Sequence, residues 1–236
     1  FPVELLEKVH NLILSIFLEE NIPFMSCLRP FLQFESDLVS YGICSEFALC
    51  SLIQRLDGCE LVVRRNPYVY PPGNTTKLPL VPAIELFIEE AGGEVSLAEL
   101  KQYVVHGLGL KKHALYVRII PELSGVLKTK SKGFIHVNNL PLSQTKLTNI
   151  ARSFQEEIKN IGFASVIRAF EDHKISCKMM GLRDPMMLFT ALREYHDDIL
   201  DFGYFPHVML PDEQKSTEKK GIRDMVVAYI RQYDSF

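Results

Sequence analysis

Seven basic side chains fall within residues 95–140, namely Lys101, Lys111, Lys112, Arg118, Lys128, Lys130 and Lys132, against only Glu99 and Glu122. The chain as a whole carries a formal net charge of −3, so this concentration is local. Cations at such density suit one chemistry above others: they neutralise phosphates and release the counterions condensed on a nucleic acid. Lys111, Lys112 and His113 stand together with Arg118 a few residues on, while Lys128, Lys130 and Lys132 cluster around Thr129-Lys130-Ser131-Lys132. A smaller basic pair, Arg64-Arg65, lies earlier. The partner these residues predict is duplex DNA, held mainly through its phosphates.

Catalytic signatures are sparse. His106-Gly107-Leu108-Gly109-Leu110-Lys111 has two glycines without the third of a dinucleotide fingerprint, and a Gly-Lys-Ser/Thr phosphate loop is absent. The seven histidines never stand four residues apart, so the helical metal-binding spacing is missing. Glu171-Asp172-His173 and His196-Asp197-Asp198 set acids beside imidazoles, but sequence neighbours do not face each other on a helix. Glu213-Gln214-Lys215 has the Glu-x-Lys of metal-dependent nucleases without a separate acid to hold a cation. A non-enzymatic protein with no cofactor and no metal is expected. Five cysteines, Cys27, Cys44, Cys50, Cys59 and Cys177, form no C-x-x-C pair and read as reduced thiols. The longest apolar run, Leu12 to Leu18, is too short to span a bilayer, and a chain without a leader is expected. A cytoplasmic or nuclear location without membrane contact is the expectation. Opening on Phe1 rather than Met, the chain is expected to be a piece of something longer.

The elements that must carry the basic residues recur. A Gly-aliphatic step opens a helix, a turn follows, and a β-rich hairpin ends in an aromatic residue: Gly42-Ile43 to Tyr68, Gly109-Leu110 to Phe134, and Gly181-Leu182 to Phe205. Such a period indicates an array of small units. In the middle copy, Pro82 to Ala91 reads as a first helix stopped by Gly92-Gly93. Ser96 before Leu97-Ala98-Glu99 reads as a capping box opening a second, and residues 111–120 read as a third. Gly125 to Lys128 and Gly133 to Val137 make a hairpin. The first copy runs from a helix at 5–19, through 23–34, to a third helix at 45–56, with strands at 60–64 and 68–70. The third has helices at 147–160 and 164–172, another opened by Asp184-Pro185, and a hairpin of 199–201 and 204–209 turning at Phe202-Gly203.

Helix, short strand, helix, turn, helix and hairpin is the order of a helix-turn-helix with a wing. The middle copy resembles the winged-helix superfamily, and its Gly-Val-Leu-Lys then Lys-Gly-Phe-Ile-His-Val hairpin resembles the HARE-type helix-turn-helix. That resemblance implies a nucleic-acid or chromatin-associated role. The expected fold class is mainly α with small β-hairpins, a tandem array of three winged-helix domains at 1–73, 78–140 and 141–210. Residues 211–236 are a linker and a helix bearing Ile222, Met225, Val226, Tyr229 and Ile230, either the start of a fourth unit or a terminal packing helix. Lys111, Lys112 and His113 then open the recognition helix, and the other lysines arm the wing.

At most two copies are expected to touch DNA, because Asp197, Asp198 and Asp201 surround the third wing. Tyr68, Tyr70, Phe134, Tyr204 and Phe205 could stack on bases, but Phe134 and Phe205 read first as core, as do Met179, Met180, Met186 and Met187. The alternative is a protein-interaction module docking through domain 1 or domain 3 in a transcription, replication or defence assembly. A third reading is the targeting portion of a longer enzyme.

Overall fold

The computed structural model describes residues 2–74 and 79–211. They are mainly helical with small antiparallel sheets and divide into two compact units. The first takes its residues from 2–87 and 97–123, the second from 88–96 and 124–211.

The first unit opens on α1 (Val3–Glu20), whose Leu6, Val9, Ile13, Ile16 and Phe17 recur at three- and four-residue steps and are buried. It ends at Asn21 in the left-handed region. β1 (Met25–Ser26), α2 (Leu28–Gln33) and α3 (Glu35–Ser40) follow. α4 (Glu46–Ile53) starts where the Ser45 hydroxyl accepts the Ala48 N–H at 3.2 Å. β2 (Val62–Arg65) and β3 (Tyr68–Tyr70) complete an antiparallel sheet of order β1-β3-β2, with Met25 opposite Val69 and Val62 opposite Tyr70. Residues 80–87 belong to α5 (Leu80–Glu90), and α6 (Leu97–Lys101) runs on as a π-helical turn, Gln102–Gly107. The last helical stretch consists of α7 (Lys112–Ala114), a π turn over Leu115–Ile119, and α8 (Ile120–Glu122). Leu100, Val104, Leu108, Leu115 and Ile119 are buried, each side chain contributing roughly 1.5–3 kcal/mol.

In the second unit, β4 (Val126–Lys128) and β5 (Phe134–His136) form a hairpin, with Leu127 opposite Ile135, and Val95 bridges Phe134 on its far side. α9 (Gln144–Ile161) is capped by Ser143, stops at left-handed Gly162, and buries Leu147, Ile150, Ala151, Phe154 and Ile158. β6 (Ala164–Ser165), α10 (Val166–Asp172), α11 (Lys174–Met179), α12 (Pro185–His196) and β7 (His207–Val208) follow. Phe154, Phe170, Met187, Leu188 and Leu192 belong to its core, with Leu127 and Ile135 of the hairpin.

The repeat glycines share one role. Gly42, Gly109 and Gly181 have φ of 79°, 68° and 74°, conformations that disfavour a side chain. Each turns the chain so that the next residue, Ile43, Leu110 or Leu182, is buried before the following helix. The short strand before each second helix also pairs with the later hairpin strand: β1 with β3, Val95 with Phe134, β6 with β7.

Several details depart from the sequence reading. α3 and α11 are helices beyond those expected, while the stretch through 23–34 forms β1 and then α2. The expected third hairpin narrows to an Asp201–Met209 bridge, with β7 pairing to β6 instead. Phe205 is 37% exposed rather than fully buried, although its ring stands edge-on to Phe189 at 5.7 Å. Met180 and Met187 are core, whereas Met179 is 63% exposed. The terminal segment with Ile222 and Tyr229 lies outside the described residues.

Candidate nucleic-acid interface

The helix that follows each repeat glycine differs in what it leaves open. In α4, Phe47 is the one exposed residue, and in α12 it is Arg193. The stretch from Lys112 to Glu122 exposes Lys112, His113, Tyr116, Val117, Arg118, Pro121 and Glu122.

α12 is covered by the basic hairpin. The Lys128 N–H donates to Thr190 Oγ1 at 3.1 Å and the Lys130 N–H to Asp184 Oδ2 at 3.2 Å. Glu194 Oε1 accepts from the Ser124 hydroxyl at 3.0 Å and from the Gly125 N–H at 2.8 Å. Polar groups at both ends and the middle of α12 thus satisfy the hairpin backbone, and Thr190 is 3% exposed. So occupied, α12 has Arg193 as its one exposed residue, with Glu194, Tyr195 and His196 partly buried. Asp184 was legible as a cap, and it does accept the Met187 N–H at 3.0 Å. Its second partner, and the roles of Thr190 and Glu194, had no local signal because they depend on a chain segment some 60 residues away.

The expected site residues fall in both units. In the first, Lys111 Nζ lies 3.1 Å from the carboxylate of Glu46, which is otherwise buried in α4. Lys112 and His113 are exposed. Arg118 reaches Glu122 at 3.8 Å, an i,i+4 pair with both side chains over half exposed, which holds little energy. Arg64 donates to the Asn74 carbonyl at 2.7 Å and lies 5.9 Å from the Tyr70 ring centre. Arg65 is exposed at the end of β2.

In the second unit, Lys130 and Lys132 are exposed at the hairpin tip, and Lys132 turns the chain at φ 63°. Lys128 is half-buried, and burial first, then the nearby Arg193 charge, pulls its ammonium below the usual lysine range. It is the least available of the three.

The sequence reading missed Glu94. Its Oε1 accepts from the Thr129 hydroxyl at 2.7 Å and the Ser131 hydroxyl at 2.6 Å, and Arg183 approaches its other oxygen at 3.7 Å. The Ser131 and Thr129 hydrogen bonds, with Arg183, hold the carboxyl below the usual glutamate range. A Cβ at Gly133 would strike that carboxylate, which explains the glycine. Thr129 Oγ1 also accepts the Gly133 N–H at 2.9 Å, so one carboxylate fixes the tip between three lysines. Only a Glu two residues before a capping serine marks it in sequence.

One other charged cluster pairs within itself. A groove of about 620 Å³ between α9 and α10 is lined by Glu157, Arg168, Asp172 and His173, and Arg168 pairs with Glu157 at 3.6 Å and Asp172 at 3.8 Å. Burial raises the Glu157 carboxyl. All five cysteines are free thiols. Among the described residues no group of three or more His, Cys, Asp or Glu side chains is placed to hold a metal ion. No helix among them is long and apolar enough to cross a membrane.

Compared with protein-family models and with curated proteins, the chain matches none of them.

Proposed function

We propose that the chain is a non-enzymatic nucleic-acid-binding module, a tandem array of three winged-helix domains whose basic middle domain holds duplex DNA mainly through phosphates. The observation that carries this reading is the contrast between the three helices: α4 and α12 each leave one residue exposed, Phe47 and Arg193, while the Lys112 to Glu122 stretch presents Lys112, His113 and Arg118 to solvent. In the first unit those residues contact the DNA with Lys111 beside them, and Arg64 and Arg65 add phosphate contacts; in the second unit Lys130 and Lys132 offer phosphate contacts of their own. Lys128 contributes least, being half-buried. The recurring helix order and left-handed glycine support the array reading.

The test is charge reversal at Lys112 and Arg118 together. Loss of two phosphate contacts should weaken duplex binding at least tenfold at low salt and lower the slope of log affinity against log salt by about 1.8. Unchanged affinity and slope would remove this helix from the interface.

One observation favours a second reading, protein interaction: Tyr116 and Val117 are 41% and 61% exposed on the same stretch. An apolar pair between cations suits a protein partner as readily as a sugar-phosphate edge. Under that reading, Val117→Asp abolishes partner capture and charge reversal changes only its rate.

A further inference from the structure

The hairpin tip carries two hydroxyls between lysines. Thr129 and Ser131 are the positions in the sequence where a Ser or Thr has a basic residue on both sides. They differ in access: Thr129 is 6% exposed, whereas Ser131 is exposed. Thr129 Oγ1 accepts the Gly133 N–H and donates to Glu94, so it is built into the turn. Ser131 Oγ contacts two side chains, Glu94 at 2.6 Å and Thr129 at 2.7 Å. Rotating it outward leaves those turn contacts of Thr129 intact.

We propose that Ser131 is a phosphorylation site for a serine kinase with an acidic substrate groove, and that its modification switches off the basic hairpin. Lys128, Lys130 and Lys132 place positive charge at three positions before, one before and one after the hydroxyl, complementary to such a groove. The γ-phosphoryl of a nucleoside triphosphate passes to Ser131 Oγ. The new bond is Oγ–P, the bond broken joins the γ-phosphorus to the β-phosphate bridging oxygen, the nucleoside diphosphate departs, and the hydroxyl proton goes to the kinase base.

The product has two consequences here. Ser131 loses the hydrogen it donates to Glu94, and a group of charge about −1.5 to −2 stands beside that carboxylate, which repels it. The same charge pairs with the flanking lysines and cancels most of their attraction for DNA. The first consequence depends only on the geometry of the tip; the second rests on the DNA-binding reading above.

The experiment treats the whole chain with Mg-ATP and each of several Lys/Arg-directed serine kinase catalytic domains, maps phosphate by mass spectrometry, and follows Gly133 amide exchange and duplex anisotropy. Ser131→Ala and Thr129→Ala are run in parallel. Expected are phosphate on Ser131 in the parent chain and in Thr129→Ala, none in that window in Ser131→Ala, faster Gly133 exchange, and at least tenfold weaker duplex binding at ~50 mM salt. No phosphate on Ser131 with any kinase, or equal labelling of Thr129, overturns the site. Phosphate on Ser131 with unchanged affinity for a duplex that the parent binds overturns the switch. Phosphate with faster Gly133 exchange, where neither form binds DNA, upholds the site and sinks the DNA-binding reading instead.

Discussion

Lys111 Nζ stands 3.1 Å from the Glu46 carboxylate, joining the turn that opens the exposed helix to the start of α4. The lysine side chain is 67% exposed and the glutamate 12%, so the pair closes α4 while leaving the cation in reach of solvent. Glu46→Gln therefore removes a negative charge from beside a lysine proposed to contact DNA. Duplex affinity should rise by about threefold at low salt, with a stability loss of about 0.5 kcal/mol because one partner is well exposed. Anisotropy and chemical denaturation measure the two. A fall in affinity would mean that the pair positions Lys111 rather than competing for it.

Glu94 should make the hairpin tip acid-sensitive. Its carboxyl is depressed in the folded chain relative to an unfolded glutamate near about 4.3. A depressed folded value contributes stability that is present above the unfolded value and lost as pH falls through the folded one. Glu94→Gln should therefore melt below the parent at neutral pH, and the gap should shrink as pH falls below about 4.3. Scanning calorimetry of both proteins from neutral to acid pH reads this, and a gap independent of pH would contradict it.

The three repeat glycines should not be equivalent to substitution. Gly42→Ala meets open space and suffers only the left-handed backbone, a cost of about 1–2 kcal/mol. At Gly109 the new Cβ would lie 2.7 Å from Arg29 Cβ, and at Gly181 2.9 Å from Leu140 Cδ2. Gly109→Ala should cost most, because Cβ is the stiff root of its side chain; Gly181→Ala meets the end of a leucine and should fall between. Denaturant midpoints give the order.

Thiol reactivity should separate the cysteines. Cys44 is exposed and should react first with a disulfide reagent at neutral pH. Cys177 is buried and its thiol is pushed up to about 11, and Cys27 is raised by its hydrogen bond to Cys50 and by burial. Both should react only on unfolding. Rapid labelling of Cys177 in the folded chain would refute that ordering.

Local elements were legible where local chemistry sets them. The Asp184-Pro185 start of α12, the left-handed glycines and the apolar face of α9 follow from capping, backbone sterics and helical period. The hairpin over 126–136 was read from two short apolar runs, Val126-Leu127 and Phe134-Ile135, around a polar tip. The covering of α12 was not legible, because Thr190 and Glu194 look like ordinary helix residues until β4 is laid beside them. For the same reason the burial of Lys128 was hidden: its charge is evident in sequence, its surroundings are not. The basic character of the candidate site could be read, and its division between open and covered helices required coordinates.

The central claim is phosphate-driven duplex binding by the exposed basic helix, and salt titration tests it most directly. Labelled random duplex is titrated with the chain by fluorescence anisotropy at several salt concentrations, with the Lys112 and Arg118 charge-reversal protein alongside. The expected result is affinity that falls linearly with the logarithm of salt, with a slope reduced by about 1.8 in the variant. Absence of binding at the lowest salt, or a slope the variant does not change, would contradict the claim.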